Sequence, residues 1–193
     1  MKHIYEMSQF GENWFDYQDV YSKILHMIKS PGKIVEVGSW KGKSAAYMAV
    51  EIHNSGKNIS LDCVDTWLGS DETTHKNDIW VKNNQLYELF LDNTKSLRNI
   101  IKPVRKTSIE ASCMYENESI DAVFLDACHK YSCVKEDIFA WFPKIKIGGI
   151  LAGHDYSAYW PEVVSAVHDI FKTENIEHTS SCWIYYKTGT NIP

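Results

Sequence analysis

The chain has 193 residues, 44% hydrophobic and 13% aromatic, with a formal net charge of −5 from 20 basic and 25 acidic residues. That length and apolar content predict a single domain over residues 1–193 that folds without disulfides. The acidic balance argues against nucleic acid as the main partner, because a phosphate backbone asks for a basic face.

No apolar run approaches the roughly 20 residues of a membrane span. The N-terminus, Met1-Lys2-His3-Ile4-Tyr5-Glu6, lacks the apolar stretch of a signal peptide. An odd set of cysteines (Cys63, Cys113, Cys128, Cys133, Cys182) without a secretion signal fits reduced thiols, and the expected location is cytoplasmic.

Residues 10–29 read as an amphipathic helix, with Val20, Ile24, Leu25 and Ile28 at helical spacing. Ser30-Pro31-Gly32 stops it. Residues 1–30 are expected to form a helical lid or a homodimer surface carrying Trp14, Phe15, Tyr17 and Tyr21, or else to bury that aromatic stripe as core. Lys33–Val37 reads as a short buried strand, Lys43–His53 as a helix opened by Gly42, and Ile59–Val64 as a second strand. Residues 66–80 are polar and irregular, a loop length that compact domains keep for function.

A helix is expected over 80–97, a strand at Ile100–Lys106, a short helix after Thr107-Ser108, and a strand at Ile120–Leu125. Val134–Phe142 reads as a helix stopped by Pro143, Ile145–Ala152 as a strand interrupted by Gly148-Gly149, and Glu162–Phe171 as a helix. Two last strands are expected near 175–178 and 181–187. Strand alternating with helix predicts a doubly wound, mostly parallel sheet with helices on both faces. Ligands bind such sheets at the carboxyl ends of the strands. Those tips are Glu36/Gly38, Asp65, Thr107/Ser108, Asp126 and His154/Asp155, and four of the five carry an acid.

The run Val35-Glu36-Val37-Gly38-Ser39-Trp40-Lys41-Gly42-Lys43-Ser44 is a strand that ends on an acid, turns on glycine and enters a helix. A phosphate loop, Gly-x-x-x-x-Gly-Lys-Ser/Thr, needs one more residue between Gly38 and Gly42, and Glu36 would repel a triphosphate. A dinucleotide fingerprint needs a second glycine where Ser39 and Trp40 stand, and their bulk would block a pyrophosphate. The pattern left is acid-x-Gly-x-x-x-Gly, with a second acid, Asp65, at the next strand tip. Acids on neighbouring strands suit a phosphate-free, cationic nucleoside, because carboxylates accept strong hydrogen bonds from ribose hydroxyls.

This pattern resembles motif I of the class I S-adenosylmethionine-dependent methyltransferases. Residues 33–171 resemble the small-molecule O-methyltransferases of macrocin and cephalosporin biosynthesis in particular. The resemblance is carried by Cys63-Val64-Asp65-Thr66-Trp67-Leu68-Gly69, by Ser119–Tyr131 with its Leu125-Asp126-Ala127-Cys128-His129, and by Gly148-Gly149-Ile150-Leu151-Ala152-Gly153-His154-Asp155-Tyr156. It implies a Rossmann-like core over 33–188 with a seven-stranded sheet, S-adenosylmethionine as the cofactor, and a small-molecule hydroxyl of a sugar or secondary metabolite as acceptor.

By the same resemblance, Glu36, Gly38, Ser39, Gly42 and Ser44 shape the cofactor site, and Asp65 with Thr66 holds the ribose. Trp67 stacks on adenine or packs its loop. Ser108 lies beside adenine or caps the next helix. Asp126 closes the cofactor site and opens the acceptor site.

Relatives use carboxylates at these tips to hold a divalent ion, usually magnesium, which acidifies the acceptor hydroxyl. Asp126, Asp155 and His154 are the residues in the corresponding places. Some metal-dependent relatives carry Asp at the positions of His154 and Cys128. A metal-free mechanism with His129 or His154 as the base, working with Asp126, therefore stands beside the magnesium reading. The two histidines could also simply orient Asp126 and Asp155. Cys128 and Cys133 flank His129 without the spacing of a zinc site and read as packing residues. The rivals are a metal-free N-methyltransferase and a non-catalytic nucleoside-binding protein of the same fold.

Overall fold

The computed structural model describes residues 1–11 and 14–192. After a 3-10 turn at Ser8–Phe10 comes helix α1 (Gln18–Met27), then β1 (Gly32–Val37), α2 (Lys43–Ser55) and β2 (Ile59–Asp65). Three helices follow, α3 (Thr73–Asn77), α4 (Ile79–Lys82) and α5 (Leu86–Asn93), then β3 (Ile101–Arg105), α6 (Ser108–Ser112) and β4 (Ile120–Leu125). The chain ends with α7 (Tyr131–Trp141), β5 (Ile145–Gly153), α8 (Pro161–Phe171), β6 (Glu177–Thr179) and β7 (Cys182–Tyr186).

The seven strands form one sheet in the order β3-β2-β1-β4-β5-β7-β6, and β7 runs antiparallel to both its neighbours. The remaining pairs are parallel. This is the expected α/β architecture. In register, Val37 faces Val64 and Leu125, and Leu125 faces Gly153, so β2, β1, β4 and β5 end level. Gly38, Asp65, Asp126 and His154 therefore emerge side by side at one edge.

Because strand side chains alternate, the sheet buries two apolar faces. Ile34, Leu61, Phe124 and Ala152 pack beneath residues of α1, α2 and α5, while Val35, Val37, Val123 and Leu151 pack beneath α6, α7 and α8. No helix among the described residues is long and apolar enough to cross a membrane.

Three elements differ from the expectation. The first helix starts only at Gln18, yet Phe10, Phe15 and Tyr17 are buried with Tyr21 in the first cluster. The stripe is core, and Trp14 alone of those aromatics stays exposed, at 44%. The expected loop 66–80 contains the short helices α3 and α4. The expected helix 80–97 is broken because Asn84 adopts a left-handed φ of 53° between α4 and α5, a conformation asparagine tolerates better than most side chains.

Candidate functional site

A cleft of about 750 Å3 opens over the level strand tips, a size suited to a cofactor with a small partner. Of the residues expected there, Gly38, Ser39, Ser44, Asp65, Thr66, Ser108, Asp126, His129, His154 and Asp155 line it. Glu36, Gly42 and Trp67 are not on its wall.

Asp65 ties the glycine loop to β2. Its Oδ2 accepts from the backbone N–H groups of Ser39 and Trp40 at 2.9 Å each, and its Oδ1 from that of Trp67 at 2.7 Å. Burial pushes the Asp65 carboxyl up, and these three N–H groups pull against it. Oδ1, with a single donor, keeps a second lone pair, so the residue can clamp the loop and still accept from a ribose.

Glu36 sits one layer behind, fully buried, with Oε2 accepting from the Tyr21 hydroxyl at 2.6 Å. Burial lifts its carboxyl to about 7 against the pull of that bond. Glu36 Oε1 and Ser39 Oγ are buried without a partner. An unsatisfied buried carboxylate oxygen is costly, and Glu36 Oε1 beside the glycine loop fits the ammonium end of the cofactor that the resemblance implies.

Two expected contacts, Trp67 and Gly42, take other duties, and the expected cap of the next helix shifts by one residue. The Trp67 indole is 1% exposed, donates through Nε1 to the Trp40 carbonyl at 2.9 Å, and packs on Tyr87 and Phe90 at 4.8 and 4.7 Å between centroids. It belongs to the core, on a residue with a left-handed φ of 53°. At Gly42 an added Cβ would meet Thr94 and Phe90 at 2.9 and 3.0 Å, so this glycine allows α5 to pack close. Thr107, not Ser108, caps α6, in a reciprocal capping box with Glu110. The Ser108 hydroxyl accepts from Trp141 Nε1 at 2.9 Å on the cleft wall.

The aromatic wall joins Trp40 and His75, which the sequence did not place at the site, to Trp14 of the expected lid segment. Trp40 stacks on His75 at 4.1 Å and 18°, and Trp14 lies 5.9 and 5.6 Å from the two rings. All three line the cleft. A tryptophan inside the glycine loop was the available signal; its partner in residues 66–80 had none. Below them Lys41 and Asp78 form a buried ion pair at 2.6 Å.

On the other side of the cleft, acids and imidazoles alternate. His129 meets Glu72 through Nδ1 at 2.8 Å and Asp155 through Nε2 at 2.7 Å. His154 meets Asp126 and Asp155 through Nδ1 at 3.3 Å each, and Asp16 through Nε2 at 3.0 Å. Tyr17 donates to Asp126 Oδ2 at 2.8 Å, and Ser181 donates to Asp16 at 2.9 Å. Trp160 covers His129 at 4.1 Å. Neither Asp16 nor Glu72 was signalled by the sequence.

An imidazole with a carboxylate at each nitrogen donates from both, which makes it an imidazolium. Burial opposes that charge on His154, but hydrogen bonds to Asp126 and Asp155 and their negative charges override it and lift the ring to about 11. His129 is raised by the same opposition, with Asp155 the strongest partner. Asp155 is partly buried, which raises its carboxyl, yet hydrogen bonds from both rings hold it far below the usual carboxylate range.

Ligand atoms of Asp126, His154 and Asp155 lie within 4.8 Å of one another, as a metal would require. The donor set suits magnesium poorly, because magnesium asks for oxygens in an octahedron and one of the three donors is an imidazole. Asp126 Oδ2 is taken by Tyr17, and Asp155 Oδ2 by both histidines. His154 places its own cation between the carboxylates.

The methyltransferase-domain family matches residues 35–156. Among solved structures, the O-methyltransferase NovP superposes with a TM-score of 0.64 at 14% identity, over 89% of this chain and 79% of its own. A calicheamicin methyltransferase, CalS11, superposes at 0.63 and 14%, over 88% and 76%. An S-adenosylmethionine-dependent O-methyltransferase from Thermotoga maritima superposes at 0.62 and 14%, over 91% and 66%. No curated protein sequence matches.

Proposed function

Since the chain belongs to the methyltransferase-domain family and is an S-adenosylmethionine-dependent methyltransferase, we propose that it methylates a hydroxyl of a small molecule without a metal. One observation carries this reading: His154 sits as a cation between Asp126 and Asp155, 3.3 Å from each, where relatives would hold a divalent ion.

When bound, S-adenosylmethionine supplies a sulfonium methyl for a single in-line displacement. Ser39, Ser44, Asp65, Thr66 and Ser108 on the cleft wall, with Glu36 and its unpartnered oxygen behind them, hold that cofactor. Asp126 takes the proton of the acceptor hydroxyl. The imidazolium of His154 steadies the negative charge that develops on the acceptor oxygen, as a metal would. Neither histidine serves as the base, because each already donates from both nitrogens.

The acceptor is a small molecule because the cleft is small and its walls are aromatic. The solved structures named above as O-methyltransferases support oxygen as the target. Four carboxylates facing two imidazoles also leave the cluster negative, which would attract an amine.

Radiolabelled S-adenosylmethionine with a panel of glycosides, phenols and amines, assayed with and without EDTA, tests the reading. The expected result is an O-methyl product formed at an unchanged rate in chelator, and an Asp126→Asn variant with kcat lower by about 10²–10⁴. Turnover abolished by EDTA and restored by magnesium would reinstate the metal. An N-methyl product would move the acceptor class, and cofactor binding without any product would leave a binding protein.

A further inference from the structure

Tyr17 and Tyr21 stand one helical turn apart at the start of α1, with their rings at 5.1 Å. Each hydroxyl donates to an acid at a different strand tip, Tyr21 to Glu36 at 2.6 Å and Tyr17 to Asp126 at 2.8 Å. β1 and β4 are neighbours in the sheet, about 4.8 Å apart, and a helical turn rises about 5.4 Å. The start of one helix thus matches the spacing of two strand tips.

Tyr17 is itself immobilised. Its ring stacks on Phe124 at 4.8 Å, meets Phe15 edge-on at 4.7 Å and touches the His154 ring at 4.6 Å. Burial first, and the Asp126 charge second, keep its phenol protonated well above 10, so it is always the donor. The other oxygen of Asp126, Oδ1, is held only by the longer contact to His154 Nδ1 at 3.3 Å, so the bond from Tyr17 is the tighter restraint on a side chain whose terminal torsion is broad.

We propose that Tyr17 is a positioning residue for methyl transfer. Its hydroxyl pins Oδ2 of Asp126, which leaves Oδ1, the oxygen beside His154, to meet the acceptor. This rests on Asp126 being the group that takes the proton. A carboxylate that swings free presents the wrong oxygen part of the time, and small misplacements of reacting groups are costly.

The test needs no acceptor. Sinefungin carries an amine where the cofactor carries its sulfonium methyl, so its affinity relative to S-adenosylhomocysteine reads how well Asp126 is aimed at the transfer point. Calorimetry on the full chain gives both constants. Tyr17→Phe, which keeps the ring and its packing, is expected to lower the preference for sinefungin about fivefold, the worth of one hydrogen bond. Tyr21→Phe, the matched loss of a hydroxyl one turn away, leaves that ratio within twofold whatever happens to the absolute affinities. An unchanged ratio in Tyr17→Phe, or an equal change in both variants, overturns the proposal.

Asp126→Asn separates the two levels. If it leaves the ratio untouched, the role of Asp126 itself is wrong. If it lowers the ratio while Tyr17→Phe does not, only the positioning role fails. In the double variant, Tyr17→Phe should add nothing to Asp126→Asn, since its effect passes through that carboxylate.

Discussion

Gly38 and Asp126 meet backbone to backbone where β1 and β4 end: a Cβ on Gly38 would stand 2.0 Å from the Asp126 carbonyl oxygen. Gly38 N donates to Val64 O and Asp126 N donates to Val37 O, both at 2.8 Å. The glycine that opens the cofactor loop is therefore also what brings the acceptor-side aspartate alongside it.

Gly38→Ala should be severe. It places a methyl against backbone that cannot rotate away, at a φ of 92° that L side chains avoid. We expect a loss of roughly 2–4 kcal/mol in urea unfolding and loss of S-adenosylhomocysteine binding by calorimetry. Gly56→Ala is the comparison: φ is 69° but nothing lies within 4 Å, so it should cost only about 1 kcal/mol. Equal costs would show that backbone conformation, not the approach of the two tips, is what matters at Gly38.

Glu36 links cofactor binding to stability through pH. Its carboxyl rises from 4.5 to about 7 on folding, chiefly through burial. Between those values the folded chain holds a proton that the unfolded chain has lost, so stability declines as pH rises through the window and levels off above it. Glu36→Gln keeps an acceptor for Tyr21 and removes the charge. It should unfold later than the parent at pH 8, by about 1–3 kcal/mol, while binding S-adenosylhomocysteine more weakly. A variant less stable at pH 8 than the parent would contradict this.

His154 has the opposite sign. Its ring is raised from 6.5 to about 11, so its contribution is complete below the lower value and is lost as pH climbs through the upper one. His154→Gln leaves Asp16, Asp126 and Asp155 facing one another without their cation. We expect a deficit of roughly 2–4 kcal/mol at pH 6, shrinking in urea titrations taken toward pH 10. A deficit independent of pH would mean that the ring is uncharged in the folded chain.

Asp78 performs two tasks that substitution can separate. Its carboxylate pairs with Lys41 at 2.6 Å and caps α4 by accepting from Trp80 N and Val81 N. Asp78→Ser retains a cap and loses the ion pair, whereas Asp78→Ala loses both. Asp78→Ala should be the worse by about 1 kcal/mol, the usual worth of a cap. Both should speed amide exchange across residues 66–82, where the ion pair anchors the wall that carries His75. Exchange confined to α4 would assign Asp78 to capping alone.

The strands and the acids at their tips were readable because both are local, whereas the order of the strands in the sheet came from the tertiary structure. Alternating apolar runs mark strands whatever they later pack against, and each strand of a parallel sheet ends on the ligand-facing edge. Residues 66–97 were less legible. The short helices α3 and α4 bury no side chain of their own, so no apolar period announces them.

The sequence by itself determined the sheet, the glycine loop and the row Glu36, Asp65, Asp126, Asp155, because periodicity and turn chemistry act over a few residues. Only the tertiary structure decided what each acid does. Asp65 spends its oxygens on its own loop, Glu36 retreats behind the wall, and Trp67 turns into the core. Asp126 finds Tyr17 across 109 residues of chain, and His154 finds Asp16 across 138. Such partners leave no local trace, since a buried carboxylate needs a donor but its sequence neighbourhood does not say which one arrives.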